Sequence, residues 1–353
     1  MDNMSLLVGN RKKNKIQIYK LNICGEKLTL TDKDVVWESP NVQYMTEIKP
    51  ILYNGKKSIL STTSNGVIIF ELSKEKRVLF HKEITGYQTN IHSAHSLPDG
   101  NVVIADSYGW LGILPAGGNN VEIPQEQVPW YKLAHAHALS YDENAHKLYA
   151  GGYTTIKKYT YQVKDKKPVL TEEASYDISD YYLRCKVYNK CSENADWEDG
   201  VHDMYQVYGE KSGMYFLSTG ERCFLFDSTK LDNVPSGKIT LDEFKPFYEI
   251  DSKISQGLEK TAKEKKVILK KGGIKAVSGF IDQENFLTIA HAAPWFTTDD
   301  NYFHEGTHLI FSTKVDDIID FDITDKNKIN FSPSSTVSFY KARLLDKNWM
   351  PDL

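Results

Sequence analysis

Ionisable residues recur at the starts of similar apolar segments, and they are the residues of this sequence that could do chemistry. The five positions are Glu47, His95, His137, His202 and Lys275. Three of them precede the next apolar segment by the same spacing, in EIKPILYNGK, HALSYDENAH and KAVSGFIDQE; the spacing is shorter after His95 and longer after His202. Imidazole nitrogens and carboxylate oxygens are common ligands of divalent metals. The pattern therefore predicts a site for Mn, Zn, Fe or Ca formed by Glu47, His95, His137 and His202.

The same groups could instead transfer protons, because a histidine changes its charge near neutral pH. His135 lies two residues before His137, so both side chains would point to one side of an extended strand, whereas His92 would point away from His95. A third interpretation is that each histidine bonds to the backbone of a neighbouring segment and does no chemistry. As candidate catalytic residues we take His135, Tyr340 and Lys275.

Aromatic and basic residues elsewhere in the chain could contact a sugar. An aromatic face stacks well on a sugar ring, and an arginine can bind a carboxylate through two hydrogen bonds. The alternative is that the aromatic residues stiffen long loops by packing. The candidate substrate-binding residues are Tyr108, Trp110, Arg184, Trp295 and Tyr302.

The elements that must position these residues form a repeat. Each copy contains an apolar segment, a polar turn and a second apolar segment, as in HSLPDGNVVIADS from His95 and AHALSYDENAHKLYAGG from Ala136. Units of four strands at a period of roughly 40–50 residues are typical of β-propellers. The sequence predicts an all-β, six-bladed propeller, with seven blades as an alternative if the connection after Tyr176 contains strands. We expect residues 1–353 to form a single domain.

The two ends of the chain are predicted to share one blade. SLLVG at Ser5 resembles the second strand of the other repeats, so the first blade has no inner strand of its own. The segment VSFYKARLL, residues 337–345, follows the last recognisable repeat and could supply that strand. This closure would remove the open sheet edges that otherwise promote aggregation.

Three long segments interrupt the repeat: residues 177–200, 251–272 and 291–306. Chain direction alternates within a blade, so connections between blades and connections from the second to the third strand emerge on the same face. All three segments belong to these two kinds of connection. Long loops in a compact repeat are usually functional or disordered. We therefore expect the ligand site on this face, at the mouth of the central channel.

The repeat phrases HSLPDGNVVIADS and AHALSYDENAHKLYAGG resemble those of uncharacterised bacterial six-bladed propeller proteins, over nearly the whole chain. The H-x-H pair of His135 and His137 also resembles, more faintly, the histidine-held manganese site of oligogalacturonate lyases. That second resemblance implies a metal-assisted lyase that acts on uronic-acid-containing sugars, although the histidines here are spread over several repeats.

Composition restricts the partners that we expect. A net charge of −4 disfavours nucleic-acid binding, which needs a basic face. No apolar run approaches the roughly 20 residues that span a bilayer. The sequence as given predicts a cytoplasmic location, or an extracytoplasmic one if a signal peptide was removed. Of the four cysteines, Cys185 and Cys191 are close enough in sequence to pair after export, but two ordinary thiols are the alternative.

The functional hypothesis from sequence is a carbohydrate-active propeller, monomeric, with a polar and metal-binding pocket at the channel mouth. The reaction would be lysis of a uronic-acid-containing oligosaccharide. The rival hypothesis is a propeller that binds a small molecule or a protein and catalyses nothing.

Overall fold

The computed structural model of the protein describes residues 4–21, 28–179, 200–207, 213–219, 222–232, 234–239, 244–249, 274–280, 286–291, 308–312, 328–331, 337–346 and 349. Within these residues the chain is almost entirely β-structure in a β-propeller arrangement, as the sequence predicts. The few helical turns are Asp32–Asp34, Gln125–Gln127 and Ser228–Leu231.

The strands of the first half of the chain are β1 (Ser5–Asn10), β2 (Lys15–Lys20), β3 (Leu28–Leu30), β4 (Val35–Glu38), β5 (Ile48–Tyr53), β6 (Lys56–Thr62), β7 (Gly66–Glu71), β8 (Val78–Thr85), β9 (Ile91–Ser96), β10 (Val102–Asp106), β11 (Trp110–Leu114), β12 (Asn119–Pro124), β13 (Trp130–Lys132), β14 (Ala138–Asp142), β15 (Lys147–Gly151), β16 (Thr155–Lys164) and β17 (Lys167–Asp177). Those of the second half are β18 (Val201–Gln206), β19 (Met214–Thr219), β20 (Arg222–Asp227), β21 (Gly237–Lys238), β22 (Phe244–Glu249), β23 (Ile274–Phe280), β24 (Phe286–His291), β25 (His308–Ser312), β26 (Lys328–Phe331) and β27 (Phe339–Leu345).

These described strands form six sheets, each built on an antiparallel core of four strands. In order from the innermost strand they are β27-β1-β2-β4, β5-β6-β7-β8, β9-β10-β11-β13, β14-β15-β16-β17, β18-β19-β20-β22 and β23-β24-β25-β26, which we call sheets 1 to 6. Neighbouring inner strands contact one another in the cycle β27, β5, β9, β14, β18, β23 and back to β27. Since β14 packs directly against β18, the described residues give no support for the seven-blade alternative.

The first sheet joins the two ends of the chain. Strand β27 pairs antiparallel with β1, with Leu6 opposite Leu344 and Val8 opposite Ala342. The C-terminal segment therefore supplies the inner strand that the N-terminal repeat lacks, which confirms the predicted sharing of one sheet.

Three further strands join alternate sheets in a way that the sequence did not predict. Each of them pairs in parallel with the fourth strand of a sheet: β12 pairs with β8, β21 pairs with β17, and β3 pairs with β26. Each comes from the stretch between the third and fourth strands of the following sheet. The fourth strand of sheets 2, 4 and 6 is thus paired with a strand from the following sheet, which links the sheets in pairs.

The hydrophobic core lies between the sheets. Separate clusters of buried residues fill the spaces between sheets 1 and 2, 2 and 3, 3 and 4, 4 and 5, and 6 and 1.

Turn chemistry fixes the strand pairing locally. Asn54 and Gly55 link β5 to β6 with φ angles of 50° and 75°, the left-handed conformation that tight hairpins need. Segments 251–272, 292–306 and 180–199, with Cys185 and Cys191, lie outside the described residues.

Removing β27 tests the closure. A chain that ends at residue 336 leaves β1 without its inner partner and removes Lys341 and Arg343 from the centre of the ring. We expect no cooperative thermal unfolding by circular dichroism, and recovery of a transition when a peptide of residues 337–346 is added. A truncated protein that melts like the full chain would contradict the closure.

Candidate functional site

Backbone bulges at the start of the inner strands position the candidate residues. In β9, His92 is an extra residue, because Ser93 and Ile91 pair with the consecutive residues Ala105 and Asp106. His202 in β18 and Lys275 in β23 occupy the same kind of extra position. A bulge redirects the side chain of the extra residue. At this end of the strands it directs side chains toward the central channel.

Together with His135, His137 and Tyr340, the three redirected side chains form a continuous group that we call the mouth ring: His92, His135, His137, His202, Lys275 and Tyr340. His137 is at its centre, with ring centroids 4.1 Å from His92, 4.0 Å from His135 and 5.5 Å from His202. Tyr340 lies edge-on to His92 at 5.6 Å, and the Lys275 ammonium is 5.5 Å from the Tyr340 ring. Strands of sheets 1, 3, 4, 5 and 6 thus contribute to one site.

Hydrogen bonds fix the orientation of two imidazoles. Nδ1 of His92 lies 2.9 Å from the carbonyl oxygen of Asn90, and Nδ1 of His137 lies 3.1 Å from that of His135. A carbonyl only accepts, so Nδ1 carries the proton in both. In the neutral imidazole Nε2 then holds a lone pair that can act as a base or a ligand.

Burial keeps the central histidines neutral. Burial lowers the pKa of His137 well below its ordinary value, and the neighbouring imidazoles of His92, His135 and His202 lower it further. Burial, followed by the charge of Lys275, lowers the pKa of His135 to about 4. His135 also has a left-handed backbone, φ 54°, and a buried Nδ1 with no hydrogen-bond partner among the described residues.

Beneath the mouth ring, five charged side chains fill the channel axis. We call Glu47, Lys49, Asp203, Lys341 and Arg343 the axial charge cluster; each side chain is at most 2% exposed. Arg343 Nη2 donates to Glu47 Oε1 and to Asp203 Oδ1, both at 2.7 Å. Lys341 Nζ bridges the same two carboxylates at 3.0 and 3.1 Å.

The cations hold both carboxylates in the charged form. Burial alone would raise the pKa of Glu47, but Lys341, Lys49 and Arg343 together lower it far below its usual range. Arg343 and Lys341 likewise overcome burial and lower the pKa of Asp203. Burial lowers the pKa of Lys49 to about 8, against the opposing attraction of Glu47. With three cations and two anions, the cluster carries one positive charge in excess.

A cavity of about 580 Å³ opens beside the mouth ring, within the size range of small-molecule sites. His92 and Tyr340 form its inner wall. Connecting turns form the rest, on the face where the sequence predicted the ligand site: Arg11, Tyr44, Thr46, Thr63, Ser64, Asn65, Gln88, Thr89, Asn90 and Ile91. Hydroxyls, amides and one guanidinium thus surround the space next to an imidazole and a phenol.

The structure brings some of the predicted residues together and separates others. The three catalytic candidates, His135, Tyr340 and Lys275, lie in the mouth ring with His137 and His202. Glu47 lies deeper, where Ser93, Lys341 and Arg343 donate to its carboxylate. His95 is near the end of β9 and lines a different cavity at the other end of the channel.

The expected convergence of Glu47, His95, His137 and His202 on one point is therefore wrong. The alignment placed His95 at the start of its strand, but β9 begins at Ile91 and the bulge adds a residue, so His92 occupies the equivalent position. Among the described residues, no three His, Cys, Asp or Glu side chains are arranged as a metal site.

The aromatic candidates lie farther out. Tyr108 and Trp110 are 54% and 38% exposed and do not line the cavity beside the mouth ring. Tyr87 stands edge-on to Tyr108 with ring centroids 6.3 Å apart. Arg184, Trp295 and Tyr302 lie outside the described residues.

Sequence reasoning missed His92 and the axial charge cluster. Regular alternation along a strand points His92 away from His95, and no residue pattern marks the bulge that changes this. Two cationic residues in the apolar strand FYKARLL, Lys341 and Arg343, were the available signal for a buried ion-pair network.

These observations define the protein as a β-propeller with a polar, histidine-lined channel mouth. The chain belongs to a family of unknown function, DUF6528, whose sequence profile matches residues 41–236, more than half of its 353 residues. The expected resemblance to uncharacterised propeller proteins is confirmed at the level of family and fold. No curated protein matches the chain. No helix in the described ranges is long and apolar enough to cross a bilayer.

Solved structures with similar folds are distant in sequence. A proposed 6-phosphogluconolactonase from Bacteroides uniformis has 10% identity and a TM-score of 0.48, over 98% of this chain and 100% of that one. Kluyveromyces lactis Hsv2 has 9% identity and a TM-score of 0.44, over 92% and 77%. The C-terminal WD40 domain of Sif2 has 8% identity and a TM-score of 0.37, over 81% and 74%. The resemblance to oligogalacturonate lyases gains no support from these comparisons.

Asp203→Asn tests the axial charge cluster. The substitution preserves shape but leaves three buried cations facing one carboxylate, and breaking a buried ion pair costs about 3–5 kcal/mol. We expect urea unfolding to show that the free energy of unfolding falls by about 3–5 kcal/mol. The control is Asp232→Asn, which removes a surface partner of Lys158 at 2.9 Å and should cost about 0–1 kcal/mol. Equal losses in the two variants would contradict the dependence of the buried cations on their carboxylate partners.

His135→Asn tests the neutral histidines. The unfolded chain binds a proton at this residue below about pH 6.5, whereas the folded protein binds it only near its lowered pKa of about 4. Stability should therefore fall as the pH drops from about 6.5 to about 4 and should be unaffected above. Asparagine tolerates the left-handed backbone. Between these two pH values, His135 should change the free energy of unfolding of the wild type by up to about 1.4 kcal/mol per pH unit. We expect the variant to lack this contribution.

The matched control is His146→Asn, because His146 is an exposed histidine whose φ is also 54°. Urea unfolding at a series of pH values measures all three proteins. If the variant at His135 keeps the wild-type pH dependence, the acid sensitivity arises elsewhere.

Proposed function

We propose that this protein binds an acidic oligosaccharide in the cavity at the channel mouth and cleaves it by β-elimination. The observation that carries the proposal is that His92 and Tyr340 line the same cavity as Arg11, with the two rings 5.6 Å apart. A base, an acid and a partner for a carboxylate are the groups that this reaction needs from a protein.

In the proposed step, Nε2 of His92 takes the proton from the carbon next to the uronate carboxylate. The electron pair of that C–H bond forms a carbon–carbon double bond, and the glycosidic C–O bond on the neighbouring carbon breaks. The Tyr340 hydroxyl gives its proton to the leaving oxygen. The Nδ1 hydrogen bond of His92 to the Asn90 carbonyl supports this role, because it fixes the tautomer that a base requires.

Polar groups around the cavity support a sugar as the ligand. Thr63, Ser64 and Thr89 offer hydroxyls, Asn65 and Gln88 offer amides, and all five line the space. These groups can pair with several hydroxyls at once. Tyr44, which is 61% exposed on the rim, offers an aromatic face for stacking.

Charge supports an acidic sugar over a neutral one. Arg11 lines the cavity, and a guanidinium binds a carboxylate through two parallel hydrogen bonds. Lys275 lies next to Tyr340, and the axial charge cluster below contributes its excess positive charge. A carboxylate at the mouth would be attracted by all of these groups, and that attraction acidifies the carbon beside it.

The second candidate is ligand binding without chemistry. It is favoured by the burial of His92, His137 and His202, each less than a tenth exposed, and by the backbone hydrogen bonds of the first two. Histidines held in this way can be structural.

A divalent metal stays a prediction of the sequence. If Mn, Zn, Fe or Ca binds, elemental analysis after dialysis against each metal would show a stoichiometric content, and His137→Gln would remove it. The monomeric state likewise stays a prediction, testable by light scattering.

We also infer that the ring has six blades. The support is that six sheets each contribute one inner strand, and that these strands contact one another in a closed cycle. A structure at high resolution that shows another sheet between any two of them would contradict this number.

Oligogalacturonates and oligoglucuronates, with neutral oligosaccharides of the same length, provide the assay. We expect the wild-type protein to generate an unsaturated uronate, detected by its ultraviolet absorbance, from an acidic substrate only. His92→Gln and Tyr340→Phe should lower kcat by 10²-fold or more, as expected for removal of a general base or acid. Arg11→Met should mainly raise KM.

The control is Lys12→Met, which removes a neighbouring exposed cation outside the cavity. Its kinetics should match those of the wild type. Binding of acidic sugars without cleavage would favour the second candidate, and preference for neutral sugars would contradict both.

A further inference from the structure

The channel has a second opening, on the face opposite the mouth ring. The ends of β5, β14 and β18 and the turns that follow them surround a cavity of about 220 Å³ there, which we call the lower cavity. Its volume corresponds to about seven water molecules at roughly 30 Å³ each. A ligand of this cavity is therefore a small molecule rather than a polymer.

One wall of the lower cavity is formed by His95, whose hydrogen bond to the backbone fixes which ring nitrogen can accept a hydrogen bond from a ligand. His95 Nδ1 lies 2.9 Å from the Ser96 carbonyl oxygen, so Nδ1 carries the proton and Nε2 keeps the lone pair. Burial and the charge of Lys49 keep this imidazole neutral near pH 7. The site thus accepts a hydrogen bond from a ligand hydroxyl.

The other wall is part of the axial charge cluster, which carries one positive charge in excess over its five side chains. Lys49 is the cation of the cluster that lines the lower cavity. Its Nζ contacts the Leu139 carbonyl at 2.6 Å, Ser93 Oγ at 2.9 Å and Glu47 at 3.1 Å, so an added anion would act on it by charge rather than by a new hydrogen bond. Direct donors are available from Ser140, Asn144 and Gln206.

We propose that the lower cavity binds a small hydroxy-carboxylate, whose carboxylate balances Lys49 and whose hydroxyl donates to His95 Nε2. Glu143 also lines the cavity, but it is exposed to solvent. Its repulsion is screened by water and salt, whereas the buried charge of Lys49 acts through a low dielectric. The balance therefore favours an anion.

Trp349 lines the lower cavity and provides the readout. The probes are glycolate, a hydroxy-carboxylate, and glycolamide, its neutral counterpart. We expect glycolate to change the intrinsic fluorescence saturably and to raise the melting temperature, and glycolamide to bind at least tenfold more weakly. Trp349→Phe should abolish the fluorescence change but keep the thermal shift.

Lys49→Met and His95→Leu should each weaken glycolate binding at least tenfold, and Lys157→Met, which removes a surface ion pair with Glu172, should leave it unchanged. If Lys49→Met does not fold, His95→Leu and Gln206→Leu carry the test. Equal binding of the two probes, no binding of glycolate, or unchanged binding in these variants would overturn the proposal. The lower cavity is remote from His92 and Arg11, so either result is independent of the lyase assay.

Discussion

The ion pairs on the channel axis are the interaction on which the rest of this structure depends. Arg343 and Lys341 come from the C-terminal strand β27, and they bond to Glu47 beside β5 and to Asp203 in β18. Further bonds reach Val277 in β23, Ala94 in β9 and Leu139 in β14. One buried network thus touches the inner strand of every sheet. Because a buried charge without its partner is costly, each sheet is stable in this place only when the others are present.

The same network explains how the ring closes on the correct strand. Pairing between β1 and β27 could be formed by many apolar strands, but only a strand with two cations at alternate positions matches the two carboxylates. At the outer edge of the ring, sheet 3 contributes a strand to sheet 2, sheet 5 contributes one to sheet 4, and sheet 1 contributes one to sheet 6. These strands hold the sheets in pairs. We infer that apolar packing supplies most of the stability and that charge selects the arrangement, since buried ion pairs contribute little net energy.

Sequence patterns predicted the β-propeller class and the strand shared between the two ends, because both follow from local periodicity and chain direction. They failed at the level of single side chains. A bulge of one residue places His92, rather than His95, at the channel mouth, since one extra residue reverses which side of a strand a side chain is on. The ion pairs of Arg343 join residues 140 and 296 positions apart, and no local pattern indicates such contacts.

Charge on the axis also connects the chemistry of the two openings. The cluster fills the channel between them, with Lys341 Nζ 3.4 Å from the His92 carbonyl on one side and Lys49 among the residues of the lower cavity on the other. Its excess charge is positive, and the histidines at both ends are buried beside it. Burial is the main reason that the pKa values of His137 and His95 are lowered; the neighbouring imidazoles add to this effect at His137, and the charge of Lys49 adds to it at His95, so both stay neutral. Neutral imidazoles accept hydrogen bonds, and an excess positive charge attracts carboxylates. This combination is the common basis of the two proposals, in which each opening binds a ligand that combines hydroxyls with an acidic group.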